Sequence, residues 1–196
     1  MPPKAKITKE MILNAVLNIT RETGFETVNA RSIASKLQCS TRPIFTCYEN
    51  MYELKKEFLI FAYEYYEQYV SNYSDAINIK PYLILPLSYI EFAQEEAYLF
   101  KLLFISDMDL KMIKADDFYN EADNEKKAQV FAETFGIDLE RAKVIFLDLF
   151  LYTHGIAVLT VTKKIALDRA SMEKMIRNVL VAFLKQEKVD ENLYVL

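Results

Sequence analysis

The sequence contains few of the residues that build tight turns, disulfides or catalytic sites: three Gly, five Pro, two Cys, one His and no Trp. So little Gly and Pro excludes the many turns of an all-β sandwich and favours helices. Cys39 and Cys47 share one short segment and cannot crosslink a fold, which indicates a reducing compartment. With one histidine, no nucleophile elbow and no phosphate-binding glycine loop, we expect no metal, no cofactor and no enzymatic activity.

Apolar residues make up 52% of the 196 residues, and aromatic residues 13%, which is typical of a globular protein with a substantial core. The net charge of −4 is unevenly distributed. Residues 1–58 contain nine Lys and Arg against six Asp and Glu, a net charge of +3, while residues 59–196 carry −7. A basic head on an acidic body favours a polyanionic partner for the head.

The most apolar stretch, residues 144–161, reaches the minimum length of a membrane span but contains Asp148 and His154. An acidic residue near the centre of a span costs about 2.5–3.5 kcal/mol on insertion, so a helix buried in a helical protein explains the stretch better. The first ten residues are polar and basic, without the apolar run of a secretory signal. We therefore expect a soluble, cytoplasmic protein with no membrane partner.

The first part of the chain has the apolar spacing of a short helical domain. Thr8 can cap a helix that runs to about Thr23, and Gly24 suits the left-handed residue that ends a helix. Asn29 can cap a second helix over residues 30–38.

The stretch STRPIFTCY, residues 40–48, predicts a third, short helix. Ser40 can cap it, and Pro43 falls in its first turn, where a missing N–H breaks no hydrogen bond. Gln38 and Cys39 form a tight turn before it. Two short helices joined by such a turn, after a first helix, are a helix-turn-helix. The second helix of this pair enters the major groove of DNA, with its N-terminal residues on base edges.

The first part of the chain carries a specific combination of residues at fixed spacing: Gly24, Phe25, Thr27, Ile33, Ala34, Ser40, Pro43, Ile44, Phe45, Tyr48 and Leu54. With these residues, the segment 8–58 resembles the DNA-binding domain of the TetR family of transcriptional repressors. The resemblance implies an all-α fold of about nine helices, with a helix-turn-helix domain at 1–55 and a helical ligand-sensing and dimerisation bundle at 56–196. It also implies a homodimeric repressor that a small-molecule effector releases from double-stranded operator DNA.

The sequence departs from the family pattern where phosphate donors are expected. The family commonly has Tyr, His and Lys at the positions of Phe45, Cys47 and Met51, and usually Gly at that of Gln38. None of the first three replacements is a strong phosphate donor. The alternative is therefore a helical protein-interaction module whose DNA binding is weak or lost.

The DNA-binding residues that we predict lie around the third helix. Arg42 can form a bidentate contact with guanine, and Pro43 can lie against a thymine methyl group. The side chains that face the groove are Ser40, Thr41, Arg42 and Thr46, and the phosphate anchors are Lys4, Lys6, Thr27, Lys55 and Lys56. The alternatives for Arg42 are a phosphate contact or a surface pair with Glu49.

The body of the chain reads as helices. Pro81 and Pro86 mark the start of one, Gly136 ends another, Asp138 caps residues 139–165 and Ser171 caps residues 172–187. The last two helices are the predicted homodimer interface. The predicted effector pocket is lined by Tyr89, Phe92, Phe100, Phe104, Phe150 and His154, although core packing of the aromatic residues and a hydrogen-bonded core histidine are the commoner arrangements.

Overall fold

The computed structural model describes residues 7–76, 80–106, 112–120 and 123–194. Over these residues the chain forms nine α-helices and no strand, so the predicted all-α fold is confirmed. Short 3₁₀ turns lie at Phe25–Thr27, Ala115–Asn120 and Glu191–Leu193. The helices are α1 Lys9–Thr23, α2 Ala30–Lys36, α3 Arg42–Cys47, α4 Met51–Ala76, α5 Pro81–Glu95, α6 Ala97–Lys101 (continued as a π-helical segment, Leu102–Ser106), α7 Asn124–Phe135, α8 Leu139–Val161 and α9 Arg169–Gln186.

Most of the predicted helix ends are confirmed. The Thr8 hydroxyl accepts a hydrogen bond from the amide of Met11, and the Asn29 side chain accepts from the first turn of α2 in a capping box. The Asp138 side chain caps α8 by accepting from the amides of Glu140 and Arg141. Gly24 ends α1 with φ 92°, and Gly136 ends α7 with φ 63°. These positive φ values are the reason for glycine at both positions.

The prediction that Ser40 caps α3 is wrong. The helix begins at Arg42, after Thr41, whose backbone is already helical and whose side chain makes no capping hydrogen bond. The carbonyl of Thr41 accepts the first bond of the helix, from the amide of Ile44 at 3.1 Å. Because Pro43 has no amide hydrogen, the first turn has one fewer donor for a cap to satisfy.

Three boundaries in the body also differ from prediction. Helix α8 ends at Val161, not at residue 165, because Lys163 adopts left-handed backbone with φ 58°. Helix α9 begins at Arg169, and its cap is Asp168, which accepts from the amide of Ser171 at 2.7 Å. Asp168 lies three residues before Ser171, so the helix starts earlier than predicted. Pro86 lies inside α5, which starts at Pro81.

The chain divides into two compact units. The first consists of Met1–Tyr69 and Glu95–Met108, and contains α1 to α3, most of α4, and α6 with its π-helical continuation. In its apolar core the rings of Phe25 and Phe58 are stacked, with their centroids 5.5 Å apart. The predicted boundary between a DNA-binding domain at 1–55 and a ligand-sensing domain at 56–196 stays a prediction. Fully buried side chains of this unit include Ile12, Val16, Ile33, Ile44, Leu54 and Phe58.

The second unit consists of Val70–Gln94 and Asp109–Leu196. Helix α8 packs against both α7 and α9. Aromatic rings fill its core, with centroid distances of 4.8 Å between Phe118 and Phe150 and 4.8 Å between Phe131 and Phe135. From α9, Ile176, Leu180 and Leu184 are buried.

In the described part of the chain, one helix, α8, is long and apolar enough to cross a membrane. The core helix of a soluble protein has the same length and composition. Ala142, Ile145 and Ala157 of α8 are buried, whereas Val144, Leu151 and Leu159 are exposed.

Candidate nucleic-acid interface

The turn between α2 and α3 depends on one left-handed residue. Gln38 has φ 52°, the left-handed backbone expected at this position because the resemblance places a glycine there. The turn closes the end of α2, since the amides of Gln38 and Cys39 donate to the carbonyls of Ser35 and Ala34 at 3.1 and 3.0 Å. Such a backbone costs a non-glycine residue about 1–2 kcal/mol, which packing of the two helices has to offset.

Two buried side chains anchor helix α3 in the core: Ile44 within the helix and Tyr48 directly after it. Burial raises the pKa of the Tyr48 phenol. The Lys9 ammonium lies 4.7 Å from the centre of the Tyr48 ring and 2.6 Å from the Glu57 carboxylate. A helix of six residues is too short to be stable alone, so these contacts fix its position.

The opposite side of α3 faces solvent. Ser40, Arg42 and Thr46 are exposed, while Thr41 and Pro43 are half-buried. The Thr46 hydroxyl donates to the carbonyl of Arg42 at 3.0 Å, so it can offer its oxygen lone pairs to a ligand while its hydrogen stays within the helix. The structure thus presents Ser40, Arg42 and Thr46 in the exposed positions that base reading requires.

Arginine pairing separates the first turns of α2 and α3 from the rest of the described chain. Of the six arginines, four form ion pairs with glutamates: Arg21 with Glu96, Arg141 with Glu187, Arg169 with Glu91 and Arg177 with Glu173. Arg31 and Arg42 have no ion pair with any described residue, and both are exposed in the first turns of α2 and α3. The predicted alternative of a pair between Arg42 and Glu49 is therefore absent among these residues.

Arg31 was not among the residues predicted to bind DNA. The sequence feature that could have identified Arg31 is its position in the first turn of α2, two residues after the Asn29 cap. An exposed guanidinium without an ion pair offers five hydrogen-bond donors in a planar fork, which suits phosphate or guanine. We add it to the candidate interface.

The predicted phosphate anchors differ in how available they are. The Thr27 amide and hydroxyl both donate to the Gly24 carbonyl, at 3.2 and 2.8 Å, so its donors are already engaged. Lys55 lies over the Phe25 ring, half-buried, with its ammonium 5.5 Å from the ring centre. Lys56 is exposed, 4.8 Å from the centre of the Tyr52 ring. Lys4 and Lys6 lie outside the described residues.

The three positions at which the resemblance led us to expect phosphate donors carry other side chains. Phe45 is 51% exposed on α3, and Met51, at the start of α4, is half-buried beside Tyr52, which is 67% exposed. Cys47 is half-buried, with its Sγ 4.0 Å from the carbonyl oxygen of Ile7. An exposed phenyl ring can contact a thymine methyl group or a sugar, but it cannot hold a phosphate.

Four of the predicted pocket residues belong to the second unit, and three of these are in contact. The Tyr89 hydroxyl lies 2.9 Å from His154 Nδ1, and the Phe150 ring is 6.2 Å from the Tyr89 ring and 5.7 Å from the His154 ring. Burial lowers the pKa of His154 below its ordinary 6.5, so the imidazole is neutral at pH 7. The expected hydrogen-bonded histidine is thus observed. Phe92 is fully buried in the same unit.

The other two predicted pocket residues, Phe100 and Phe104, belong to the first unit. Their ring centroids are 5.2 Å apart, and Phe104 also meets Tyr66 edge to face at 4.9 Å. These are core contacts, and the six-residue pocket stays a prediction. Among the described residues, no three His, Cys, Asp or Glu side chains are grouped to hold a metal ion.

No protein-family model matches the chain, and no curated protein matches it.

Proposed function

We propose that the protein is a DNA-binding transcriptional regulator of the TetR type. In this proposal it is a cytoplasmic, homodimeric repressor, and a small-molecule effector releases it from double-stranded operator DNA. The observation that carries the proposal is the pairing pattern of the arginines. The four outside the first turns of α2 and α3 are neutralised by glutamates, and the two in those turns, Arg31 and Arg42, are exposed without an ion pair to any described residue.

The helix-turn-helix geometry supports the same proposal. Helix α3 is fixed from behind by Ile44 and Tyr48, and its exposed side carries Arg42 and Thr46. Base reading requires a helix whose position is set by packing and whose N-terminal residues project outward. The proposal assigns a binding role, and no catalytic step, to this surface.

Regulation would require a body that responds to a ligand. The aromatic cluster of Tyr89, Phe150 and His154 supplies apolar rings with a phenol and a neutral imidazole, the chemistry typical of pockets for small organic molecules. An effector can release the operator only if it binds more tightly to a dimer whose two heads are placed wrongly for DNA.

The test is a DNA-binding screen. Genomic fragments, beginning with the region upstream of the protein's own gene, are titrated with the protein at several salt concentrations against a large excess of unrelated duplex. We expect a fragment that is retained at least about a thousandfold better than the competitor. Equal retention of all fragments, or no retention at low salt, would overturn the proposal.

The second candidate function is a helical protein-interaction module. The exposed rings of Phe45 and Tyr52 favour it, because exposed aromatic side chains are common anchors of protein interfaces. A Phe45→Ala variant separates the two functions. If the protein reads DNA, Phe45→Ala should leave the salt dependence of DNA binding unchanged. If the exposed rings form a protein interface, the same variant should lose binding to the partner protein.

A further inference from the structure

One side of helix α3 combines a cation with apolar groups. At about 100° per residue, Arg42, Phe45 and Thr46 lie within an arc of about 100° around the helix, and Ile44 lies on the opposite side. Ile44 is fully buried, so the arc points away from the core of the first unit. All three side chains of the arc are exposed, Phe45 at 51%. These three residues are here called the α3 face.

The apolar groups of the α3 face are available to a ligand. The Phe45 ring has no aromatic partner in the part of the chain that the structure describes. The Thr46 hydroxyl donates to the carbonyl of Arg42 at 3.0 Å, which leaves the γ-methyl group of Thr46 free to make an apolar contact. A phenyl ring and a methyl group therefore lie beside the guanidinium of Arg42.

A guanidinium beside apolar groups can select among DNA bases. In the major groove, arginine binds O6 and N7 of guanine, and apolar side chains contact the C5 methyl group of thymine. Cytosine and uracil have only hydrogen at that carbon, while 5-methylcytosine carries the same methyl group as thymine. Residues three apart on a helix have Cβ atoms about 5–6 Å apart, enough to reach neighbouring base pairs that are stacked about 3.4 Å apart.

We propose that the α3 face reads a guanine together with the C5 methyl group of an adjacent pyrimidine, with Arg42 on the guanine and Phe45 on the methyl group. The ligand is duplex DNA in which thymine or 5-methylcytosine lies next to guanine. The proposal rests on the DNA binding of the proposed function. It assigns a specificity role to Phe45 and names the chemical group of the DNA that Phe45 distinguishes.

The geometry of α3 favours Phe45 over Pro43 for the methyl contact. Pro43 lies about 160° from Phe45 around the helix and is half-buried, so it is at the edge of the α3 face. A phosphate contact does not explain Phe45, because a phenyl ring has no hydrogen-bond donor. Arg31 and Arg42, which have no ion pair with a described residue, favour a polyanion over an apolar protein surface as the occupant.

The first experiment removes methyl groups from the DNA. A library of randomised duplexes is enriched with the natural protein, and the enriched duplex is resynthesised with deoxyuridine in place of each thymine in turn. We expect at least one thymine beside a guanine whose replacement weakens binding about fourfold, the loss of one buried methyl group. The ratio should be the same at every salt concentration, because a methyl group carries no charge. Deoxyuridine without effect at every thymine would overturn the proposal.

The same position offers a gain of affinity as a check. When its base pair is replaced by a pair of cytosine and guanine, 5-methylcytosine should bind about fourfold more tightly than cytosine. Equal binding of the two cytosines would contradict a contact with the methyl group.

The second experiment removes the ring from the protein. Phe45→Ala is compared with Tyr52→Ala, which removes a more exposed ring from the first turn of α4. Phe45→Ala should reduce the ratio of thymine to deoxyuridine binding to about one, and Tyr52→Ala should leave it at about four. Because both rings are exposed, both variants should keep the helical circular dichroism of the natural protein. A ratio that persists in Phe45→Ala would overturn the role of Phe45, even if that variant binds DNA more weakly.

The outcomes separate this inference from the proposed function. A library that is not enriched at low salt overturns both. An enriched duplex that binds equally well with deoxyuridine overturns the methyl contact and leaves the regulator intact. A deoxyuridine effect that disappears in Tyr52→Ala and persists in Phe45→Ala overturns the role of the α3 face and also leaves the regulator intact.

Discussion

The guanidinium of Arg21 meets the carboxylate of Glu96 edge to edge, with Nε 2.8 Å from Oε2 and Nη2 2.6 Å from Oε1. Only 7% of the Glu96 side chain is exposed, and the Tyr65 hydroxyl donates to its Oε1 at 3.0 Å. The carbonyl of Glu96 accepts the first hydrogen bond of α6, from Phe100 at 2.8 Å. The pair therefore joins the end of α1 to the start of α6 within the first unit.

We expect Arg21→Met to lower the free energy of unfolding by about 2 kcal/mol. Removal of the cation leaves a buried carboxylate with one donor, but Arg21 is 43% exposed, so the cost falls between those of surface and buried pairs. Urea denaturation measures it. The matched control is Lys126→Met, which removes a surface pair with Asp123 and should cost less than about 0.5 kcal/mol. Equal losses in the two variants would contradict a structural role for the buried pair.

The stability of the protein should fall on mild acidification because of His154. Burial lowers the pKa of the folded imidazole below the ordinary 6.5, so the unfolded chain binds this proton more readily. The contribution is fully present above pH 6.5 and is lost as pH falls below it. Denaturation at pH 7 and pH 5 should show a larger loss for the natural protein than for His154→Gln. An identical loss would mean that His154 is accessible enough to titrate normally.

The two glycines that end helices should respond differently to alanine. Gly24 has φ 92° and ψ 153°, a region that is essentially restricted to glycine, whereas Gly136 has the ordinary left-handed values of 63° and 36°. We expect Gly136→Ala to cost about 1 kcal/mol and Gly24→Ala about 2–3 kcal/mol in denaturation experiments. A larger cost at Gly136 would contradict the backbone assignment at Gly24.

The local features of the fold were predictable from sequence because their physics is local. Thr8, Asn29 and Asp138 cap helices through acceptors that lie two or three residues from the amides they bind. The errors at the starts of α3 and α9 arose because two nearby residues could each cap the helix. Helix α3 begins after Thr41, whose backbone is helical, and not after Ser40. Helix α9 is capped by Asp168 and not by Ser171.

The features that connect distant parts of the chain were not predictable. Arg21 and Glu96 are 75 residues apart in sequence, so no local pattern shows that one neutralises the other. For the same reason the sequence could not show that Arg141 and Arg169 are paired, whereas Arg177 lies only four residues after its partner Glu173. The exposure of residues along α8 was also hidden, since an apolar run is equally apolar on its buried and exposed sides.

Lys56 should anchor a phosphate without reading sequence. It is exposed at the start of α4, close to α3 in the chain. Lys56→Ala should weaken binding to every duplex by a similar factor and reduce the slope of log K against log salt by about one. Lys126→Ala, an exposed lysine of the second unit, is the control and should change neither. A loss confined to one DNA sequence would assign Lys56 to base reading instead.

The measurement that tests the central claim most directly compares Arg42→Ala with the natural protein on operator and scrambled duplexes across a salt series. Arg42 is exposed in the first turn of α3, has no ion pair to a described residue, and can form a bidentate contact with guanine. We expect Arg42→Ala to bind the operator about 1–3 kcal/mol more weakly and to lose preference for it over the scrambled duplex. An unchanged preference between the two duplexes, or a natural protein with none, would contradict the account.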